Sequence, residues 1–72
     1  MSATQLIESL VPDQPLLTRE EVADLARMKI ESLAVMASRR TGPAFIKLGR
    51  AVRYPRPAVV AWLAGRAVTT TP

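Results

Sequence analysis

The stretch from Arg39 to Leu63, RRTGPAFIKLGRAVRYPRPAVVAWL, decides the reading of this chain: a basic β-hairpin pattern set between one short helix pattern and another. Thr41-Gly42-Pro43 ends the first helix, and Phe45-Ile46-Lys47-Leu48 and Val52-Arg53-Tyr54 alternate as a strand pair. A three-residue loop, Gly49-Arg50-Ala51, puts Ile46, Leu48, Val52 and Tyr54 on the buried face and Lys47 and Arg53 on the outer one. A two-residue Gly49-Arg50 turn would mix Arg53 with Leu48, so the longer loop is preferred, although its first position is not the usual place for glycine. Arg50 sits at the tip in either case. A charged hairpin beside a helix-turn-helix is a device for gripping DNA.

Upstream, Thr18-Arg19-Glu20-Glu21 is a capping box, and Leu17 and Val22 occupy the two positions of a hydrophobic staple. A helix starts there, with Val22, Leu25 and Ala26 as its inner stripe. The pattern breaks around Arg27-Met28-Lys29, and a second period follows in which Ile30, Leu33 and Ala37 share one face, flanked by Ala34 and Met36. Its opposite face carries Glu31, Ser32, Val35, Ser38 and Arg39. Two short helices joined by about three residues have helix-turn-helix spacing, and the outer face of the second is the one laid in a major groove.

Farther out, Ser2–Val11 has Leu6, Ile7, Leu10 and Val11 at helical spacing behind a weak capping box, Ser2 to Gln5, and stops before Pro12. Pro12-Asp13-Gln14-Pro15 reads as a turn or linker. So short a helix is unstable alone, and its apolar stripe is expected to lie on the domain rather than on a neighbouring molecule. The last helix starts near Pro57, buries Val59, Trp62 and Leu63, and is expected to stop at Gly65, leaving a frayed tail. The expected organisation is an N-terminal helical extension and linker over 1–15, a DNA-binding domain over 16–66 and a flexible tail over 67–72.

Seventy-two residues make one small domain with a net charge of +4. A core of that size supplies roughly 3–5 kcal/mol without staples. With no Cys and no His there is no disulfide framework, no thiolate metal site and no imidazole base, so neither metal nor cofactor is expected. Tyr54 between Arg53 and Arg56 lacks the cluster of activating groups that nucleophilic catalysis needs, and the chain is not expected to be an enzyme. No apolar run approaches the ~20 residues that span a bilayer and no signal pattern opens the chain, which points to a cytoplasmic protein without membrane contact. The charge is unevenly placed. Residues 1–26 hold one cation, Arg19, against Glu8, Asp13, Glu20, Glu21 and Asp24, whereas residues 27–72 hold nine cations against Glu31 alone. That asymmetry is the electrostatic footprint of a nucleic-acid binder.

Thr18-x-x-Glu21-Val22-Ala23, Gly42-Pro43, Lys47-Leu48-Gly49-Arg50, Arg53-Tyr54 and Ala61-Trp62-Leu63, in that order and spacing, resemble the excisionase-type DNA-binding domain over about residues 16–65. This is a MerR-like winged helix found in phage excisionases and small prophage regulators. The resemblance implies a mainly α fold with a small β-hairpin, a winged helix-turn-helix whose second helix enters the major groove while the wing rides on the backbone or in the adjacent minor groove. By position it assigns DNA contact to Lys29, Glu31, Ser32, Val35, Arg39 and Arg40 on the second helix and to Lys47, Arg50 and Arg53 on the wing. Two positions depart from the family pattern: Arg27 stands where the inter-helix turn usually has glycine, and Lys29 where the N-cap is usually serine. Of the second-helix residues only Arg39 is a strong base reader, so phosphates and DNA shape are expected to carry much of the affinity.

Metal- and drug-sensing relatives of such domains carry a long dimerisation helix and an effector domain after the wing, whereas this sequence runs only ten residues past Trp62. No small-molecule effector is therefore expected. The function implied is that of an excisionase, a recombination directionality factor that bends an attachment-site arm, contacts an integrase and favours prophage excision, with further copies binding tandem sites cooperatively. A small prophage regulator acting by operator occlusion is the alternative, and a protein-interaction module, suggested by the acidic first half, is a third. About 5–7 phosphate contacts would give a slope of log K on log salt of about −4.5 to −6.

Overall fold

Two reciprocal capping boxes open the first two helices of the computed structural model, which describes residues 2–67. The elements run α1 (Ala3–Leu10), β1 (Leu16–Thr18), α2 (Arg19–Ala26), α3 (Ile30–Arg39), β2 (Ile46–Leu48), β3 (Ala51–Pro55) and α4 (Arg56–Arg66). Together they form a small, mainly helical α/β domain of four helices and a three-stranded antiparallel sheet in the order β1-β3-β2. Residues 68–72, most of the expected tail, lie outside the described residues.

At the start of α2 the Thr18 hydroxyl accepts from the Glu21 N–H (3.1 Å) and the Glu21 carboxylate accepts from the Thr18 N–H (2.8 Å). The staple closes as the sequence predicts, with Leu17 and Val22 both buried. Leu17 also belongs to β1, a strand the sequence reading does not contain. It lies opposite Tyr54 of β3, and both side chains point into the core with Val11, Val22, Ala23, Leu33, Val59 and Val60. Burying each of the larger side chains contributes about 1.5–3 kcal/mol. Tyr54 is fully buried; its hydroxyl accepts from Arg19 Nε (3.0 Å) and its ring meets Phe45 at 5.8 Å in a tilted pair.

The hairpin register differs from the expectation. Ile46 faces Arg53, Lys47 faces Val52 and Leu48 faces Ala51, so the loop is the two-residue Gly49-Arg50 turn. Gly49 has φ +66° and Arg50 has no positive φ, the pattern of a type II′ turn, in which glycine belongs at the first position. Directly opposed residues share a face of an antiparallel pair, so Val52 and Tyr54 point toward the core beside Lys47. Ile46, Leu48, Ala51 and Arg53 share the outer face, and the predicted burial of Ile46 and Leu48 is overturned.

The helix α1 packs on α4 through Ile7 and its C-cap Val11, whereas Leu6 and Leu10 of the same stripe stay exposed, Leu10 to 70%. Arg56 clasps its end, donating to the carbonyls of Glu8 (2.7 Å), Pro12 (3.0 Å) and Val11 (3.3 Å). The Glu8 and Val11 carbonyls have no partners further along the helix, the Pro12 carbonyl just past it also accepts from the Gln14 N–H, and a cation there meets the negative end of the helix dipole. Pro57 sits inside the first turn of α4 as predicted, but the helix passes through Gly65 to Arg66 because Gly65 keeps a right-handed backbone. Trp62 is half-buried against the core, with the Arg66 guanidinium 5.1 Å from its ring centroid. Among the described residues no helix is long and apolar enough to cross a membrane.

Candidate nucleic-acid interface

The turn between α2 and α3 is made by Arg27 in the left-handed region (φ 58°, ψ 42°) and by Lys29, the extended N-cap of α3. The Arg27 N–H donates to the carbonyl of Asp24 (3.1 Å) and the Met28 N–H to that of Ala23 (2.9 Å), which closes the end of α2. The Lys29 side chain makes no capping bond. Leu33, wholly buried, anchors α3, and Ala34, Met36 and Ala37 are half-buried around it. Ile30, predicted on the inner face, stands in the first turn and is 37% exposed.

Glu31, Ser32, Val35 and Arg39 fall on one exposed face of α3, spaced three and four residues apart. Arg40 follows in the left-handed region (φ 57°), and the Thr41 N–H donates to the Met36 carbonyl (3.0 Å), a six-to-one closure. The chain then packs tightly under α3: a Cβ on Gly42 would stand 3.2 Å from Met36 Cβ, and Pro43 is buried. Arginine at a left-handed position costs about 1–2 kcal/mol against a conformation glycine adopts freely. Both arginines, Arg27 and Arg40, therefore hold strained backbone at either end of α3 while presenting exposed cations. The sequence marks Arg27 as a departure without including it among DNA-contacting residues; its left-handed geometry adds it to the basic set.

On the hairpin, Lys47 and Arg50 are exposed, Arg50 at the turn. Arg53 is half-buried on the other face from Lys47, and its Nη1 donates to the Val52 carbonyl (2.8 Å). The expected shared outer face of Lys47 and Arg53 does not form, because the two-residue turn shifts their pairing by one position. A clear division of the cations results. Arg19 and Arg56 are held by Tyr54 and by the end of α1, and Arg53 leans on its own strand. Arg27, Lys29, Arg39, Arg40, Lys47 and Arg50 are exposed, and none makes a side-chain hydrogen bond among the described residues.

Apart from Glu31 on α3, the acidic side chains lie elsewhere. Glu8, Asp13, Glu20 and Asp24 are exposed on α1, on the linker and on α2. Glu21 is held below its ordinary carboxylate range by the Thr18 N–H and then by the Gln14 amide, which donates to it at 2.8 Å. Among the described residues no group of three His, Cys, Asp or Glu side chains comes together to hold a metal ion. Tyr54, the one residue with a nucleophilic reading, is enclosed in the core. Compared with protein-family models, with curated proteins and with solved structures, the chain matches none of them.

Proposed function

We propose that the chain binds duplex DNA as a winged helix-turn-helix, with the outer face of α3 in the major groove and the β2–β3 hairpin as the wing. The observation that carries this reading is the division of the cations. Those on α3 and at its two ends, with Lys47 and Arg50 on the hairpin, are exposed and unengaged, whereas Arg19 and Arg56 are committed to the fold and Arg53 leans on its own strand. The left-handed backbone at Arg27 and Arg40 supports it, since strain of about 1–2 kcal/mol is often held at functional positions. The α3 face offers Arg39 to guanine, Glu31 to a cytosine amine and Val35 to a thymine methyl, which gives modest sequence preference beside strong phosphate attraction.

Within that class we propose an excisionase: a factor that bends an attachment-site arm, loads in several copies on tandem sites and works with an integrase on DNA in the cytoplasm. The sequence resemblance over about residues 16–65 supports it. The test combines fluorescence anisotropy on duplex DNA across a salt series with end-to-end energy transfer on the DNA flanking the gene, with and without the neighbouring integrase. A steep salt slope and a large bend that deepens with integrase support the excisionase reading. Tight binding with little bending supports operator occlusion, and absence of binding at moderate salt removes the DNA reading.

A further inference from the structure

The two-residue hairpin turn leaves an apolar pair that neither the core nor the phosphate contacts use. Ile46 (41% exposed) and Leu48 (54% exposed) share the outer face of the hairpin, and all three residues of β2 are exposed. Leu48 is the last apolar side chain before the tip and faces only the methyl group of Ala51 across the ladder. Exposed leucine and isoleucine on a short edge strand add nothing to a fold and invite association, so their presence points to a partner.

The surrounding charge says which partner. Residues 46–53 contain no acid, Arg53 shares the outer face with the apolar pair and Arg50 stands at the turn beside it, so the pair is flanked by cations, while Lys47 lies on the opposite face. A two-fold contact with a second copy through this face would set Arg50 and Arg53 against their own counterparts. A polyanion with an apolar interior answers both features, and duplex DNA opened at a base step is one. We propose that Leu48, backed by Ile46, is a wedge that the hairpin tip presses into the minor groove of A·T-rich DNA at a flexible pyrimidine–purine step. Arg50, at the turn beside it, holds the neighbouring phosphate. This inference rests on the duplex-DNA reading above and adds to it the base composition and the side chain that deforms the step.

The chemistry selects A·T pairs for two reasons. The guanine amine stands in the floor of the minor groove, and an apolar side chain pressed on it would leave that donor without a partner. A·T-rich tracts also narrow the groove and deepen its negative potential, which favours Arg50, while TA steps unstack at low cost. Leucine and isoleucine are among the side chains that enter opened steps in this way.

The experiment compares the parent with Leu48→Ser and Leu48→Met on two duplexes, alternating d(AT) and alternating d(GC), with 2-aminopurine replacing some adenines of the first. Alternating sequences present the same step in every register, so no knowledge of a cognate site is needed. The parent is expected to bind the d(AT) duplex about tenfold more tightly and to raise the 2-aminopurine fluorescence as the step unstacks. Leu48→Ser should bring the ratio of affinities close to one and abolish the fluorescence rise, with d(GC) affinity and salt slope unchanged; Leu48→Met should behave as the parent. Leu48 is exposed, so the fold is not at stake. Equal effects of Leu48→Ser on both duplexes, or none on either, overturn the wedge and leave the DNA reading standing. A parent that binds neither duplex overturns the DNA reading itself. A parent that self-associates until Leu48→Ser releases it assigns the face to a second copy, against the proposal.

Discussion

Replacing Arg56 and Arg50 separately by alanine tests whether the cations divide as the structure has them. Arg56 donates two good hydrogen bonds, at 2.7 and 3.0 Å, and one long one, at 3.3 Å, to the carbonyls that end α1. Charge-assisted bonds contribute about 1.5–3 kcal/mol when desolvated, but the 2.7 and 3.0 Å pair are open to water, so about 1 kcal/mol for each is the appropriate scale. Arg56→Ala is then expected to cost about 2 kcal/mol. For a domain of this size that lowers the melting midpoint by roughly 8–16 °C, and α1 becomes the first segment to lose amide-exchange protection. The same variant should keep the salt slope of DNA binding at temperatures where it is folded. Arg50→Ala, at the turn, should do the reverse, melting with the parent and lowering the slope by about one. Circular dichroism melts, hydrogen exchange and anisotropy across a salt series read all three quantities. An Arg56→Ala protein that melts like the parent but binds DNA with a reduced slope would refute the division.

Arg27→Gly should raise stability by about 0.5–1 kcal/mol, the relief of a left-handed arginine less the entropy glycine adds to the unfolded chain, and should lower the DNA salt slope by about one; urea melts and anisotropy give opposite signs. Arg39→Ala should relax preference at one base pair by about 1–3 kcal/mol, seen by comparing duplexes that vary one position at a time. The carboxyl of Glu21 is depressed in the folded state, by the Thr18 N–H first, so it stabilises the fold above its ordinary value of 4.5 and that contribution fades as pH falls through the depressed value. Glu21→Gln should be less stable than the parent at neutral pH and flatter than the parent in acid, measured by urea unfolding along a pH series.

Signals that act over three or four residues were legible in the sequence, and those that depend on distant partners were not. The Thr18–Glu21 box, the Leu17–Val22 staple and the irregular turn at Arg27 all appear where the pattern places them, because each is closed by its own neighbours. The strand β1 escaped because its three residues carry the staple and the cap as well, and nothing local announces that Leu17 will lie opposite Tyr54. In the hairpin two local signals disagree, the apolar face and the turn chemistry. Alternation argued for burying Ile46 and Leu48, but glycine at the first loop position argued for the two-residue turn, and the turn prevailed. Arg56 gave no sign of its role, since the carbonyls it holds lie 44 to 48 residues earlier. The exposed face of α3 was readable from period alone, because Leu33 fixes which side faces inward.

Titrating the protein with short duplex DNA and following its backbone amide resonances tests the central claim most directly. The account predicts that the amides of Arg27 to Arg40 and of Ile46 to Arg53 shift together and saturate at one protein per site, while those of α1 and of the acidic face of α2 around Glu20 and Asp24 stay in place. Shifts gathered on α1 and α2, with α3 and the hairpin unmoved, would contradict it.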